Sequence, residues 1–391
     1  MKPDDIVADG KARLREFPVV AHRVFMAHAA VAPLPRVAVE AIREYTEQGS
    51  RDQQESGLPG RRVEEAREAA GRLLGCSAAE VALLGPTSLG LNLVANGLTW
   101  KKGDEVVYYH GDYPANVYPW SKLGDRGVRP VELKPRHPGK ITWDLVEAAL
   151  TSRTRLVALA TCHFLSGYRI DVDTIGRNLA ARGILFCLDG IQTLGAFPLS
   201  VKHVDFLSAD SHKWMLGPLG AGIFYVKRAR FAELAPTLLG SWNVQSPEFE
   251  ARREIAYYDG ARRYEPGALN APGIVGMLAS LELLLRVGVG AVGERILQLR
   301  RLVLEGARPL GYRLYTEEVD LDEETTDRER SGIISLVRPG SDVKDIFTNL
   351  VRQGISVSLR RGRDGAALLR ISPHFYNTEE EVRRLISALA T

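Results

Sequence analysis

Short apolar segments recur through the first part of the chain: Val81–Leu84, Asp104–Tyr109, Leu156–Ala160, Ile184–Leu188, Val204–Ser208 and Ile223–Val226. Leu156–Ala160 is apolar throughout, as in a strand of a parallel sheet covered by helices on both faces. Between these segments the spacing predicts helices from about Pro35, over Val63–Leu74, over Leu145–Leu150 and over Ile175–Ala181. Residues 4–17 read as one short amphipathic helix, Val24–Met26 as a short strand, residues 50–62 as a long polar loop, and Cys76–Glu80 as a second helix entry. Beyond Val226 come loops at Gly240–Asn243 and Arg263–Gly273, then long apolar helices over Ile274–Val287 and Ala291–Leu304. Glu317–Arg330 reads as a solvated, charged loop. Strands at Ile333–Val337, Ile355–Leu359 and Leu368–Ser372 enclose a helix over Val343–Gln353, and Thr378 caps a last helix that opens on three glutamates. Alternation of strands and helices predicts an α/β protein of two domains, a large one over 18–270 and a small one from 1–17 and 271–391.

Composition narrows the class. The chain has 391 residues, 45% of them apolar and 25% charged, with a formal net charge of +3. That charge is too small to argue for nucleic acid or a membrane surface. Nothing approaches 18 consecutive apolar residues, and the N-terminus lacks an apolar leader, so the expectation is a cytoplasmic protein. The three cysteines, Cys76, Cys162 and Cys187, lack metal-ligand spacing; they read as reduced, mostly buried thiols, and no metal is expected.

Candidate chemistry concentrates in three places. Gly85–Pro86–Thr87–Ser88 leads into an apolar helix. Free N–H groups at a helix start make an anion site, although Thr87 or Ser88 could equally serve as an N-cap. Ile184–Leu188 runs into Asp189, a carboxylate at the end of a buried strand. Ser208–Pro218 presents Lys213 between His212 and Trp214 and ahead of several glycines. A surface lysine on a hairpin is the plainer reading. In an apolar setting, however, a lysine has a depressed pKa and becomes an amine nucleophile, most commonly as the Schiff-base partner of pyridoxal phosphate (PLP). That cofactor also requires a carboxylate on its pyridine nitrogen, and Asp189 is of that type. Arg370 stands mid-strand in apolar sequence and needs a buried anion, either a substrate carboxylate or an internal acid.

Asp189–Gly–Ile–Gln192 followed by Asp210–Ser–His–Lys–Trp–Met–Leu–Gly–Pro218 resembles the class V aminotransferase family of fold-type I PLP enzymes. That family contains cysteine desulfurases, selenocysteine lyases, kynureninases and isopenicillin N epimerases. The resemblance covers nearly the whole chain. It implies a large domain on a mainly parallel seven-stranded sheet, a smaller C-terminal α/β domain, and a homodimer with sites at the subunit interface. It gives Lys213 the Schiff base and base chemistry at Cα, Thr87, Ser88 and His212 the cofactor phosphate, Tyr113 the ring face, Asp189 the ring nitrogen and Gln192 the ring oxygen. Asn270 becomes a phosphate contact reaching across the dimer, where relatives often place threonine at Ala268. Arg370 receives the α-carboxylate of an amino-acid substrate, and His28 and Ala29 form an edge of the site. Apart from the resemblance, His163 reads equally as a polar loop residue or a substrate-side residue, and of Arg360, Arg361 and Arg363, otherwise solvated, Arg360 is the candidate to cover the site. Tyr118 and Trp120 read as ordinary core or interface aromatics.

Two departures matter. Desulfurases tend to carry asparagine near Phe164, and they use a cysteine on the loop before the carboxylate-binding arginine. Gly354–Leu368 contains no cysteine. The expected reaction is therefore a β-eliminating C–S lyase-like one without a persulfide cysteine. The alternatives are an epimerase, which Gly111–Trp120 resembles, an aminotransferase, or a non-catalytic PLP-fold binding module.

Overall fold

The computed structural model describes residues 3–57, 60–245, 250–316 and 326–390. The central sheet has seven strands: β2 (Val81–Leu84), β3 (Glu105–Tyr108), β4 (Arg129–Glu132), β5 (Thr154–Ala160), β6 (Leu185–Asp189), β7 (Phe206–Asp210) and β8 (Gly222–Val226), β1 (Val24–Phe25) lying elsewhere. Their order is β2-β8-β7-β6-β5-β3-β4. Pairings from β4 to β7 are parallel, and β8 runs antiparallel to both β7 and β2. β6 to β8 are buried along their whole length and β5 along nearly all of it, as in a sheet covered on both faces.

A second, four-stranded antiparallel sheet is ordered β12 (Ser358–Arg361), β13 (Ala367–Ile371), β10 (Ile334–Val337), β9 (Arg313–Leu314). The apolar stretch Ile355–Leu359 is not one strand. Residues Ile355–Ser356 (β11) pair in parallel with β1, whereas Ser358–Arg361 pairs with β13, so the chain changes partners at Val357.

Packing ties the segments before and after residue 270 together. The helix Ala271–Val287 buries Ile274, Met277, Leu278, Leu281 and Leu284 in the core of the large sheet, together with Phe186 and Trp214. Val24 and Met26 instead join the core of the small sheet, with Leu299, Val303 and Ile334. Gly288, with φ +90°, lets the next helix, Val289–Ala307, start in a new direction, and that helix serves both cores: Val292 and Ile296 join the large-sheet core, Leu299 and Val303 the small-sheet one.

Other local expectations shift for identifiable reasons. Residues 4–17 form two helices, because Asp9 caps a second one by accepting from the N–H groups of Lys11 and Ala12. The supposed loop 50–62 is largely helical: Arg36–Arg51 ends inside it, Gln54–Gly57 forms a 3-10 turn, Gly60–Leu74 begins inside it, and Leu58 and Pro59 lie outside the described residues. Cys76–Glu80 supports only a single 3-10 turn, closed by a Ser77/Glu80 capping box. The strand read as Val204–Ser208 runs two residues further, to Asp210. Residues 317–325 of the charged segment lie outside the described residues. Its end is not simply solvated: the carbonyl of Glu329 accepts from the Arg169 backbone and that of Arg330 from Arg169 Nε. Tyr118 is exposed (68%) while Trp120 is fully buried. Among the described residues no single helix is long and apolar enough to cross a membrane. The bent pair Ala271–Val287 and Val289–Leu310 passes on length and composition together, but its first member is core.

Candidate active site

The C-terminal ends of β6 and β7, the loop after β5 and the start of the helix Thr87–Gly97 converge on one cavity of about 560 Å³. This is the carboxyl edge of an open α/β sheet, where ligands of such folds bind. Its wall includes Thr87, Ser88, Tyr113, Asp189, Gln192, His212, Lys213, Arg360 and Arg370, with Ala29 and Phe164 among the apolar parts.

Lys213 is 9% exposed, which removes the surface-hairpin reading. The backbone builds a tight knot to place it. Leu216 N–H donates to the Lys213 carbonyl (3.1 Å) and Gly217 N–H to that of Ser211 (2.9 Å). Leu216 takes φ +57°, and it is the one non-glycine residue with positive φ among the described residues. A Cβ on Gly195, in the turn after Asp189, would lie 2.3 Å from the Trp214 carbonyl. Only glycine there lets the carboxylate loop and the lysine loop abut. Burial pulls the Lys213 amine down to about 8; Asp189 opposes this, while Arg370 and Arg360 add to it. Nζ stands 5.4 Å from the centroid of the Tyr113 ring, which is half exposed and edge-on to Phe164.

Asp189 accepts from Ile191 N–H at 3.0 Å. Burial raises its pKa, partly offset by that hydrogen bond and by Lys213. Gln192 lines the cavity with its amide held at both ends: Trp214 Nε1 donates to Oε1 (2.8 Å) and Nε2 donates to the Ala29 carbonyl (3.1 Å). One N–H of Nε2 remains for a ligand.

The anion end is also assembled. Pro86, not Thr87 or Ser88, is the N-cap of the helix Thr87–Gly97, so neither hydroxyl is spent on capping. Thr87 Oγ1 accepts from Asp210 N–H (2.9 Å), tying the helix start to the end of β7. Gly90 permits the close approach, since a Cβ there would meet Ser208 Oγ at 2.4 Å. His212 lines the cavity with Nδ1 3.0 Å from Asp210 Oδ2, although Nδ1 is buried without a hydrogen-bond partner. Sequence reasoning missed Asp210; its position at the end of β7 was hidden by placing the strand end at Ser208.

Arg370 is 2% exposed and has no carboxylate partner among the described residues. Nη1 donates to the Phe164 carbonyl (2.7 Å), and Nε is buried without an acceptor. Arg360 joins it on the cavity wall, its Nη1 donating to the adjacent Leu359 carbonyl at 2.9 Å. Arg361 and Arg363 are exposed, and Arg363 donates to the His110 carbonyl.

Three expected site residues are not brought to this cavity. His28 is fully buried, with Nδ1 at the Ser372 carbonyl and Nε2 at the Tyr376 hydroxyl. His163 spends its nitrogens on Ser166 Oγ and the Gly111 carbonyl. Both are satisfied core histidines whose burial holds them neutral. Asn270 is exposed and caps the helix Ala271–Val287 through Gly273 N–H, while its Nδ2 donates to the Gly220 carbonyl.

The donor set fits PLP: a free helix start beside a histidine for phosphate, a buried amine, a buried carboxylate, an aromatic ring, and a buried guanidinium with an orphaned Nε for a substrate carboxylate. A family model described as aminotransferase class-V matches residues 24–385. A probable cysteine desulfurase of Methanothermobacter thermautotrophicus is 27% identical over 95% of each chain. An isopenicillin N epimerase of Streptomyces clavuligerus is 30% identical over 83% of each. The fold superposes on an apo cysteine desulfurase of Thermococcus onnurineus NA1 with a TM-score of 0.88, at 23% identity and 97% coverage of both chains. With the motif residues gathered in one cavity and the family model spanning nearly the whole chain, the protein belongs to the class V aminotransferase family of fold-type I PLP-dependent enzymes.

Proposed function

We propose that the protein catalyses β-elimination at an amino acid carrying a sulfur leaving group on Cβ, without a persulfide cysteine. One observation carries the reading: the cavity combines Lys213, Asp189 and Arg370, and none of the three cysteines lies on its wall. Cys162 and Cys187 are buried, and burial drives both thiols well away from the thiolate form. The β12–β13 hairpin, which leads into Arg370, turns through Gly362–Gly365 and contains no cysteine.

PLP, when bound, supplies the electron sink that makes the Cα proton acidic. The chain supplies the rest. Arg370 pairs its guanidinium with the α-carboxylate and fixes which Cα bond faces Lys213. The Lys213 amine, already lowered by burial, takes the Cα proton and can return it to the departing sulfur. The Cα–H and Cβ–S bonds break, the thiol leaves protonated, and hydrolysis of the released enamine gives a 2-oxo acid and ammonia. Asp189 holds negative charge at the buried end of the cavity. Phe164 and Tyr113 meet edge to face on the cavity wall. Arg360, a second cation on the wall, supports an anionic or carboxylate-rich substrate. A homodimer is the active form we propose from the family membership; Asn270 itself is engaged within its own chain, by Gly273 N–H and the Gly220 carbonyl.

The test is a panel of amino acids given to the yellow protein and assayed for 2-oxo acid, ammonia and sulfide or thiol. Stoichiometric 2-oxo acid, ammonia and thiol support elimination. Inverted enantiomer without these products favours the epimerase reading, for which the 30% identity to the Streptomyces clavuligerus protein speaks. Release of a keto acid with amine retained on the cofactor favours transamination.

A further inference from the structure

Asp112, in the turn after β3, has no place in the chemistry above. It is 7% exposed, and among the described residues it has no ion-pair partner. Its carboxylate accepts from Tyr113 N–H (2.7 Å) and Asn116 Nδ2 (3.1 Å), and from the backbone of Ala160. Asn116 is itself fixed, its Oδ1 accepting from Trp120 Nε1 at 2.9 Å. Ala160 is the residue that pairs in register with Asp189 across β5 and β6. Asp112, after β3, and Asp189, at the end of β6, thus flank the end of β5, the strand between them, as two buried carboxylates.

Two anions placed this way oppose each other out of water. Burial first, and the charge of Asp189 second, push Asp112 up to about 7, while its three hydrogen bonds hold it from rising further. The other titratable groups that feel it are Cys162 and Tyr109, both pushed up by burial and neutral near pH 7. Lys213 acts on Asp189 from the cavity side. Asp112 thus adds a second buried carboxylate at this end, beside Asp189.

We propose that Asp112 is a second carboxylate of the cofactor site, a positioning residue that acts through Asp189: its negative charge stands behind Asp189, so that a basic ring nitrogen resting on Asp189 keeps its proton to higher pH. The inference rests on the PLP reading of the cavity. The plainer role for Asp112 is to hold the turn that carries Tyr113. That role affects stability but leaves the proton affinity of the bound cofactor unchanged.

The experiment is a pH titration of the visible absorbance of the holoenzyme for wild type, Asp112→Asn, Asp112→Glu and Asn116→Ala, with a melting temperature for each. Asp112→Asn is expected to lower the midpoint by at least about half a pH unit, and Asp112→Glu to restore it. Asn116→Ala keeps the carboxylate but removes one donor. Asp112 then ionises less readily, and the midpoint falls by a smaller amount, which provides a reading even where Asp112→Asn does not fold. Midpoints within about 0.2 of wild type in the folded Asn and Ala variants would overturn the proposal and leave Asp112 a turn residue. A wild type that stays colourless with added PLP would instead overturn the cofactor reading beneath it.

Discussion

Replacing Arg370 by methionine should raise stability and nearly abolish turnover at the same time. The side chain is buried in β13 with a single protein acceptor, the Phe164 carbonyl at 2.7 Å, and its Nε has none. Burial, reinforced by Arg360, pushes the guanidinium down to about 9. A shift of that size corresponds to roughly 4–5 kcal/mol of unfavourable burial of the charge. Losing the charge-assisted bond to Phe164 returns roughly 1.5–3 kcal/mol of that. Methionine fills most of the volume, so the net gain is roughly 2 kcal/mol, or a rise in Tm of a few degrees. The cost to wild type is full below about 9 and is relieved as pH rises beyond it, because only the folded state then sheds the proton. The Tm gain should accordingly be constant from pH 6 to 8. Turnover moves the other way. Two charge-assisted bonds to a substrate carboxylate are worth roughly 3–5 kcal/mol together, so kcat/KM should fall roughly 10²–10⁴-fold, with the cofactor's absorbance unchanged. The assay pairs calorimetry of the substrate-free holoenzyme with steady-state kinetics. A fall of several degrees in Tm together with near-normal kcat/KM would refute the reasoning, since it would make Arg370 a structural core residue rather than a carboxylate receptor.

Lys213→Ala should remove the visible band, and activity should fall by several orders of magnitude without loss of fold, checked by absorbance and circular dichroism. The cofactor-free protein should gain stability as pH rises from about 8 towards the ordinary lysine value, because between them the unfolded chain holds a proton that folded Lys213 has released; a urea titration at pH 7.5 and 9.5 measures it. Thr87→Ala removes the acceptor of Asp210 N–H and loosens the helix start, so the Kd for PLP should rise about tenfold, equivalent to about 1.4 kcal/mol. Replacing Cys76, Cys162 and Cys187 by alanine together should leave thiol release within about threefold of wild type, and a rate loss above 100-fold in a folded triple variant would point to a persulfide route instead.

Periodicity and strand-end chemistry carried much of this protein in one dimension. Apolar runs without alternation announce a sheet covered on both faces, as β5 to β8 are. Lys213, Asp189 and Arg370 were legible because each is a charged residue inside apolar sequence, where its placement demands a partner. Other features depend on which distant segments meet. Val357 divides two strands because β1 and β13 lie on different sheets, which local propensity cannot encode. His28 and His163 sit at motif positions, yet the Ser372 carbonyl, the Tyr376 hydroxyl and the Gly111 carbonyl claim their nitrogens. Asp112 reads as an ordinary turn aspartate until β5 and β6 align Ala160 with Asp189 and make it the neighbour of a buried carboxylate. Sequence alone determined the elements and the residue types, because propensity and burial are local demands. Tertiary structure decided which polar groups were left unsatisfied, because hydrogen-bond satisfaction is a property of neighbours brought together from separate parts of the chain.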